Sequence, residues 1–256
     1  MIHAQAIVDP GATLADDVEI GPFCVIGPEV SIDSGTRVGP HTVIRGPTSI
    51  GRDNAIFSFS SIGEAPQDLK YAGEPTRLEI GDRNTIREYV TLNRGTVDGG
   101  GVTRIGNDNL FMAYSHVAHD CTVGDSSIFV NAAPLAGHVS VGDWAILGGF
   151  TSVHQFCRIG AHSFTGLGTV VTRDIPPFVT AAGNHARPYG LNKNGLRRRG
   201  FSPDSVRALH RAYMLLIKGR SPGAEARAEV AALAASHPEV GDFLAFLDAG
   251  SRGVIR

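Results

Sequence analysis

Aliphatic residues recur at every sixth position over most of this chain, and this period constrains the fold more than any other feature. The first run keeps one frame: Val8, Leu14, Ile20, Ile26, Ile32, Val38, Ile44, Ile50, Ile56 and Ile62. The second resumes at Ile80, Ile86 and Leu92 and, after a frame shift, continues through Ile105, Phe111, Val117, Val123, Phe129, Leu135, Val141, Leu147, Val153, Ile159, Thr165 and Val171. A period of six matches neither the 3.6 of a helix nor the 2 of a simple strand.

This hexapeptide repeat predicts an all-β solenoid. A small or thin residue stands four positions after most of the aliphatic residues, and glycine directly follows many of them, as in Ile20-Gly21. Three six-residue units would close a triangular coil of about 18 residues, and stacked coils would pair about 4.8 Å apart. We therefore expect a parallel β-helix in which the aliphatic side chains fill the prism and the glycines relieve its corners.

Two segments near residues 63–79 and 93–104 break the repeat, and we interpret both as excursion loops. The first, GEAPQDLKYAGEPTRL, is polar and contains Asp68 and Lys70. The second, NRGTVDGGGVTR, is glycine-rich but lacks the lysine-serine ending of a P-loop, so it is interpreted as a flexible segment. Loops on a rigid scaffold are where binding residues tend to lie.

The pattern changes to a helical one near the C-terminus. The hexads end after Asp174, and Ser202 followed by Pro203 is a typical helix start. The sequence predicts a β-helix over residues 1–187 and a small α-helical domain over 188–256, with helices near 203–219, 223–236 and 238–249. This domain is expected to cap the open end of the prism.

Composition excludes several classes of protein. The 256 residues carry a formal charge of −2, which argues against general nucleic-acid binding. No apolar run reaches the roughly 18 residues of a membrane-spanning helix, and no signal-peptide profile is present, so we expect a cytoplasmic protein without stable membrane insertion. Three cysteines stand at small-residue positions and are expected to be reduced: Cys24, Cys121 and Cys157.

The spacing of the histidines suggests a site. Residues 18 apart stack on neighbouring coils, so His119 should lie against Gly137, and Asp120 against His138. A histidine beside a bare backbone N–H offers a general base and an oxyanion donor, the two groups that acyl transfer needs. Asp120 could orient the imidazole if its side chain curls back. Two alternatives stay open here: a metal site that includes His116, or histidines that merely hydrogen-bond at corners.

Five strings carry a specific resemblance: SIGEAPQDLKYAGEPTRLEIGDRNTIRE, HVAHDCTVG, LAGHVSVGD, VHQFCRIGAH and GNHARPYGLNKNGLRRRGF. They resemble the UDP-N-acetylglucosamine acyltransferase family, which performs the first step of lipid A biosynthesis in Gram-negative bacteria. The resemblance implies a left-handed β-helix and a homotrimer. It also implies UDP-N-acetylglucosamine and 3-hydroxyacyl-acyl carrier protein as substrates, with no cofactor and no metal.

The resemblance also implies roles for individual residues. His119 corresponds to the general base, Asp120 to the group that tunes it and Gly137 to the oxyanion donor. The residues expected to hold the glucosamine and the acyl chain are Asp68, Lys70, His116, His138 and Gln155. The residues expected on the nucleotide side are His154, Asn192, Arg198 and Arg199, and His185 is expected near the donor groove.

Two positions depart from the family pattern. Asn194 stands where glutamate is common, and Leu167 stands where relatives that use long acyl chains tend to have glycine. A leucine in a packed apolar slot excludes part of a chain, so the sequence predicts a shorter 3-hydroxyacyl donor than the longest in the family. A basic patch is expected to dock the acidic carrier protein through Arg187, Lys193, Arg197, Arg198 and Arg199.

Other functions remain alternatives at this stage. A different β-helix acyltransferase, acting on a later intermediate or using acetyl-CoA, shares the repeat but generally carries another accessory domain. A metal-dependent hydratase would use the histidines as ligands, and a solenoid without an active site would need neither them nor the loops. The acceptor atom, a 3-hydroxyl or a 3-amino group, is not determined by the sequence.

Overall fold

The computed structural model describes residues 1–219, 223–250 and 252–256, so the predicted C-terminal domain is described apart from residues 220–222 and 251. Most of the chain forms very short strands. In chain order they are β1 (Ile7–Val8), β2 (Thr13–Leu14), β3 (Glu19–Ile20), β4 (Val25–Ile26), β5 (Val30–Ile32), β6 (Arg37–Val38), β7 (Val43–Ile44), β8 (Thr48–Ile50), β9 (Ala55–Ile56), β10 (Ser61–Glu64), β11 (Arg77–Ile80), β12 (Thr85–Ile86), β13 (Thr91–Asn93), β14 (Val102–Ile105), β15 (Leu110–Phe111), β16 (His116–Val117), β17 (Thr122–Val123), β18 (Ile128–Phe129), β19 (Pro134–Leu135), β20 (Ser140–Val141), β21 (Ile146–Leu147), β22 (Ser152–Val153), β23 (Arg158–Ile159), β24 (Phe164–Thr165), β25 (Val170–Val171), β26 (Val179–Ala182) and β27 (Arg187–Leu191).

Successive strands lie on three faces of a prism. Face 1 contains β1 and every third strand through β25, face 2 runs from β2 through β23, and face 3 runs from β3 through β24 and ends with β26 and β27. Within each face the strands pair in parallel, except for the antiparallel pair β26 and β27. Corner 1 joins face 1 to face 2, corner 2 joins face 2 to face 3, and corner 3 joins face 3 to the next face 1.

The aliphatic repeat fills the inside of the prism. Ile26 pairs with Ile44, and Val117 pairs with Leu135 in the same way, so residues eighteen apart stack on adjacent coils. These side chains are almost completely buried. The strand pairing confirms the parallel β-helix that the period of six predicts.

Glycines were predicted to relieve the corners of the prism, and the structure shows that this holds only in part. The glycines that follow the strands serve close approach: a Cβ on Gly39 would stand 3.0 Å from the Ile56 carbonyl oxygen. The left-handed backbone of the corners falls mostly on other residues, such as Phe23 and Asp120, with φ of 58° and 59°. Because L side chains rarely adopt this region, stacking contacts between coils must hold these turns in place.

Helices follow the last strand. They are α1 (Lys193–Arg198), α2 (Pro203–Tyr213), a π-helical turn (Met214–Lys218), α3 (Ala224–Ala234) and α4 (Pro238–Asp248). The boundary predicted at 187/188 falls inside β27, and the first helix begins at Lys193. The predicted start at Ser202 is confirmed, since its hydroxyl caps α2 by accepting a hydrogen bond from the Ser205 N–H. No helix within the described ranges is long and apolar enough to cross a membrane.

A partly buried ion pair joins the helices to the end of the prism. Arg158 Nε donates to Asp174 Oδ2 at 2.8 Å, and Arg158 Nη2 donates to the Phe246 carbonyl of α4 at 2.8 Å. The Asp174 side chain is buried, and the guanidinium lies 4.1 Å above the Phe246 ring. This junction ties α4 to face 2.

Candidate active site

Both interruptions of the repeat leave the prism at corner 1. The first runs from the end of β10 to the start of β11, and the second from the end of β13 to the start of β14. We call them loop 65–76 and loop 94–101. They contact each other, because Arg94 Nη2 lies 3.2 Å from the Tyr71 hydroxyl. The next turn of corner 1 carries His119 and Asp120, so the loops and the histidines share one edge of the molecule.

The His119 ring lies against Gly137, as the eighteen-residue spacing predicts. The His138 N–H donates to the His119 carbonyl at 3.0 Å, which stacks the two turns. A Cβ on Gly137 would stand 2.7 Å from His119 Nε2, so only glycine leaves room for the ring. Within the described part of the chain, the Gly137 N–H makes no hydrogen bond. An unengaged donor therefore lies next to the imidazole.

Asp120 does curl back onto His119. The two residues form a corner rather than a strand, and the left-handed backbone of Asp120, with φ of 59°, brings its side chain to the same side as the ring. His119 Nδ1 lies 2.8 Å from Asp120 Oδ2, and the Asp120 side chain is only 1% exposed. A carboxylate accepts from Nδ1–H, so Nε2 keeps its lone pair and can take a proton from a substrate.

Two further histidines line corner 1 and face 1. The His138 ring stacks on Phe156 with centroids 4.3 Å apart and meets the His119 ring edge to face. Burial lowers the pKa of His138, although nearby Asp120 opposes this effect. His116 points outward from β16 with Nδ1 at 2.7 Å from the Thr91 hydroxyl, and burial lowers its pKa as well. Both rings are thereby favoured in the neutral form.

Other predicted residues lie along the same corner. His154 and Gln155 are exposed one coil beyond Gly137, where Arg252 Nη1 lies 3.2 Å from His154 Nδ1. His185 lies 3.4 Å from the Thr172 hydroxyl, one coil further on. On the opposite side of His119, loop 65–76 holds Asp68 and Lys70, and Lys70 Nζ lies 3.9 Å from Asp98 of loop 94–101.

The other three predicted nucleotide residues lie elsewhere, at corner 2, so the structure does not bring them together with His154 within one chain. Asn192 Nδ2 donates to the His162 carbonyl at 3.0 Å, and the Arg199 guanidinium lies 5.2 Å from the Trp144 ring centre. Arg199 Nη1 also lies 3.4 Å from His162 Nδ1. Arg198 is exposed on α1, where Nε lies 3.4 Å from the Asn194 carbonyl. Face 2 separates these residues from His119 within one chain.

Comparisons with known proteins identify the family. A model described as UDP-N-acetylglucosamine O-acyltransferase, domain 2, matches residues 174–255. An acyl-[acyl-carrier-protein]–UDP-N-acetylglucosamine O-acyltransferase from Thiobacillus denitrificans is 62% identical over 255 residues, 100% of this chain and 99% of the relative. The homologous enzyme from Herminiimonas arsenicoxydans is 56% identical over 260 residues, again 100% and 99%. The chain belongs to the UDP-N-acetylglucosamine O-acyltransferase family.

A solved structure of this family supports the same assignment. The UDP-N-acetylglucosamine O-acyltransferase of Moraxella catarrhalis is 44% identical, has a TM-score of 0.97, and covers 100% of this chain and 99% of its own. The left-handed parallel β-helix expected from the resemblance is thereby confirmed, together with its short C-terminal helical region.

Leu167, the residue predicted to limit the length of the acyl chain, lies at neither corner 1 nor corner 2. Leu167 is 78% exposed at corner 3, where its Cδ1 would stand 3.2 Å from a Cβ on Gly149. Within one chain it is therefore separated from His119 by face 1. The basic patch is also less uniform than predicted, because Arg199 turns towards Trp144 while Arg187, Lys193, Arg197 and Arg198 are exposed.

Sequence reasoning missed Thr96, the residue that holds Asp120. Its N–H donates to Asp120 Oδ1 at 2.7 Å and its hydroxyl to Oδ2 at 2.6 Å. Loop 94–101, interpreted from its glycines as flexible, instead packs two of them, Gly95 and Gly99, against the Asp120 carboxylate. The one sequence signal for this contact was the position of the loop, which leaves the prism one coil before His119.

Proposed function

We propose that this chain transfers an (R)-3-hydroxyacyl group from acyl carrier protein to the glucosamine 3-hydroxyl of UDP-N-acetylglucosamine, the first step of lipid A biosynthesis. The observation that carries the proposal is the His119–Asp120 pair lying against Gly137. The names of relatives more than half identical to the chain over its full length agree with it.

The mechanism is direct transfer with general-base catalysis. His119 Nε2 takes the proton of the acceptor hydroxyl while the hydroxyl oxygen attacks the thioester carbonyl carbon. The new C–O bond gives a tetrahedral oxyanion, which the Gly137 N–H stabilises. The C–S bond then breaks, and the carrier thiolate takes the proton from the His119 imidazolium. Asp120 stabilises that imidazolium through Nδ1.

We infer that the working enzyme is a homotrimer whose site is shared by two chains. The groups proposed for chemistry lie at corner 1, whereas Asn192, Arg198 and Arg199 lie at corner 2. A single ligand reaches both sets if corner 2 of one chain faces corner 1 of its neighbour. Arg198 then holds the diphosphate, and the exposed arginines of the helical region steer the acidic carrier protein. A cytoplasmic location stays part of the proposal.

A product assay tests the proposed function. The protein is incubated with UDP-N-acetylglucosamine and a panel of 3-hydroxyacyl carrier proteins, and the products are weighed by mass spectrometry. We expect the mass of UDP-N-acetylglucosamine to increase by one hydroxyacyl group, carried as a stable ester on the 3-hydroxyl. A product formed only with the 3-amino analogue would correct the acceptor, and no product with either would contradict the proposal.

Leu167 is exposed within one chain and is not packed in an apolar slot, so we propose that the acyl groove reaches it at corner 3 of a neighbouring chain, where it limits the donor to a shorter chain than the longest in the family. Its isobutyl group adds about four heavy atoms to a groove that glycine would leave open. In the same donor panel we expect Leu167→Gly to move the preferred chain towards greater length. An unchanged preference would reject Leu167 as the residue that limits chain length.

A metal-dependent hydratase is the second candidate, because His119, Asp120 and His138 offer ligand atoms within 4.8 Å of one another. Against it, the Asp120 carboxylate already accepts hydrogen bonds from Thr96 and His119. We expect a chelator to leave acyl transfer unchanged. Stoichiometric metal in the purified protein, with loss of activity on chelation, would favour the second candidate.

A further inference from the structure

The Asp120 carboxylate is fixed from two sides, by the ring that it is proposed to assist and by loop 94–101. Oδ1 accepts from the Thr96 N–H at 2.7 Å, and Oδ2 accepts from the Thr96 hydroxyl at 2.6 Å. Oδ2 also lies 2.8 Å from His119 Nδ1. One residue of the loop therefore contacts both oxygens of a carboxylate that is almost completely buried.

The glycines of the loop make this contact possible. A Cβ on Gly99 would overlap the Asp120 carboxylate, and a Cβ on Gly95 would stand 2.8 Å from Oδ1. Gly99 has no left-handed backbone, so it is glycine for space and not for conformation. The loop is shaped to lie directly on the carboxylate.

Asp120 has two imidazoles within reach. His119 Nδ1 lies 2.8 Å from Oδ2, and His138 Nε2 lies 3.7 Å from the same oxygen. Rotation about the Cβ–Cγ bond of an aspartate is soft, so the carboxylate does not choose its partner by itself. Two hydrogen bonds from Thr96 fix the plane of the carboxylate in the orientation that pairs it with His119.

We propose that Thr96 is a positioning residue, which acts through Asp120 to keep the His119 ring oriented with Nε2 free for the substrate. The inference rests on the proposed function, in which His119 is the base. Thr96 also begins the short 3₁₀ turn Val97–Gly99, because its hydroxyl accepts from the Gly99 N–H at 3.3 Å. The tests must therefore separate positioning from local folding.

The first test compares three variants in steady-state kinetics. Thr96→Val removes the hydroxyl at nearly constant shape, Thr96→Ser keeps it, and Thr122→Val is the matched control at an exposed position of β17. We expect Thr96→Val to lower kcat about 10- to 100-fold with KM for the sugar nucleotide changed less than about threefold, since a misoriented group costs this much. Thr96→Ser and Thr122→Val should stay near the unmodified protein. A rise in KM alone would overturn the proposal.

A double-mutant cycle separates positioning from folding. If Thr96 acts through Asp120, Thr96→Val should change kcat less than about twofold in an Asp120→Ala background. Independent losses that multiply in the double variant would show that Thr96 supports the loop and not the carboxylate.

A spectroscopic test needs no substrate. The Nδ1–H proton of an imidazole bonded to a carboxylate gives a low-field proton resonance, which His119→Ala assigns by its disappearance. We expect this resonance in the unmodified protein and in Thr96→Ser, and its loss in Thr96→Val. Its persistence in Thr96→Val would contradict the proposal even if acyl transfer is confirmed. If no acyl transfer is found, the resonance still decides whether Thr96 orients the pair.

Discussion

Corner 1 and corner 2 each place a histidine on the same prism, but with neighbours of opposite charge. At corner 1, His119 Nδ1 lies 2.8 Å from the Asp120 carboxylate. At corner 2, His162 Nδ1 lies 3.4 Å from the Arg199 guanidinium. Burial first and Arg199 second lower the pKa of His162 to about 4. The coil therefore supplies only a position for the ring, and its burial and neighbouring side chains set its surroundings: a carboxylate at corner 1, and at corner 2 burial and a guanidinium that both disfavour a protonated ring.

Removal of the His119 ring at corner 1 tests this comparison, and we expect it to have the largest effect of the substitutions considered. Because a positioned base contributes about 10²- to 10⁴-fold, His119→Ala should lower kcat by that factor. The ring lies outside the aliphatic core, so circular dichroism should show the fold retained, with stability lower by about 1–3 kcal/mol because the buried Asp120 carboxylate loses one hydrogen bond. Activity within about threefold of the unmodified protein would show that corner 1 does not provide the base.

The glycine beneath the ring should have the next largest effect. A Cβ on Gly137 would stand 2.5 Å from His119 Cε1, so Gly137→Ala must displace the ring. We expect kcat to fall about 100-fold and the free energy of unfolding to fall by about 1–3 kcal/mol.

Gly149→Ala is the matched control for stability, at the equivalent position of corner 3. The nearest atom to its Cβ, at 3.2 Å, would be the end of the flexible Leu167 side chain. Gly149→Ala should therefore lower the free energy of unfolding by less than about 1 kcal/mol in denaturant titration. Equal costs at both glycines would mean that the His119 ring does not depend on the space above Gly137.

The His162 ring at corner 2 should give the smallest effect. It should appear as a dependence of the free energy of unfolding on pH. The unfolded chain takes up the His162 proton near pH 6.5 and the folded chain near pH 4. Between these values the unfolded state binds more protons, so stability falls as the pH is lowered through this window and is unaffected above it. At pH 5 the loss is about 2 kcal/mol.

Urea unfolding at pH 7 and pH 5 measures this loss. His162→Gln removes the titrating group, and the other titrating groups largely cancel in the comparison with the unmodified protein. We expect the variant to lose about 2 kcal/mol less than the unmodified protein on acidification. The same loss in both would mean that His162 is not held neutral by corner 2.

The repeat predicted the core and part of the site, because a fixed coil length converts sequence spacing into contact. The contact of His119 with Gly137 follows from their eighteen-residue separation alone. The contact of Thr96 with Asp120 does not, since loop 94–101 interrupts the frame and glycines give no indication of what they pack against. The spacing alone offered the orientation of Asp120 only as one possibility, because it depends on a left-handed corner that non-glycine residues rarely adopt.

The division of predicted site residues between two corners leads to the central claim, that one site takes groups from two chains. Co-expression of a His119→Ala chain with an Arg198→Ala chain, each with its own affinity tag, gives mixed oligomers that carry both tags. A site then regains both groups when its two chains supply the intact residues. Each mixed trimer has one complete site of three, so material that carries both tags should recover about a third of the unmodified activity, far above either variant alone. Activity no greater than the sum of the two variants would contradict a site shared between corner 1 and corner 2.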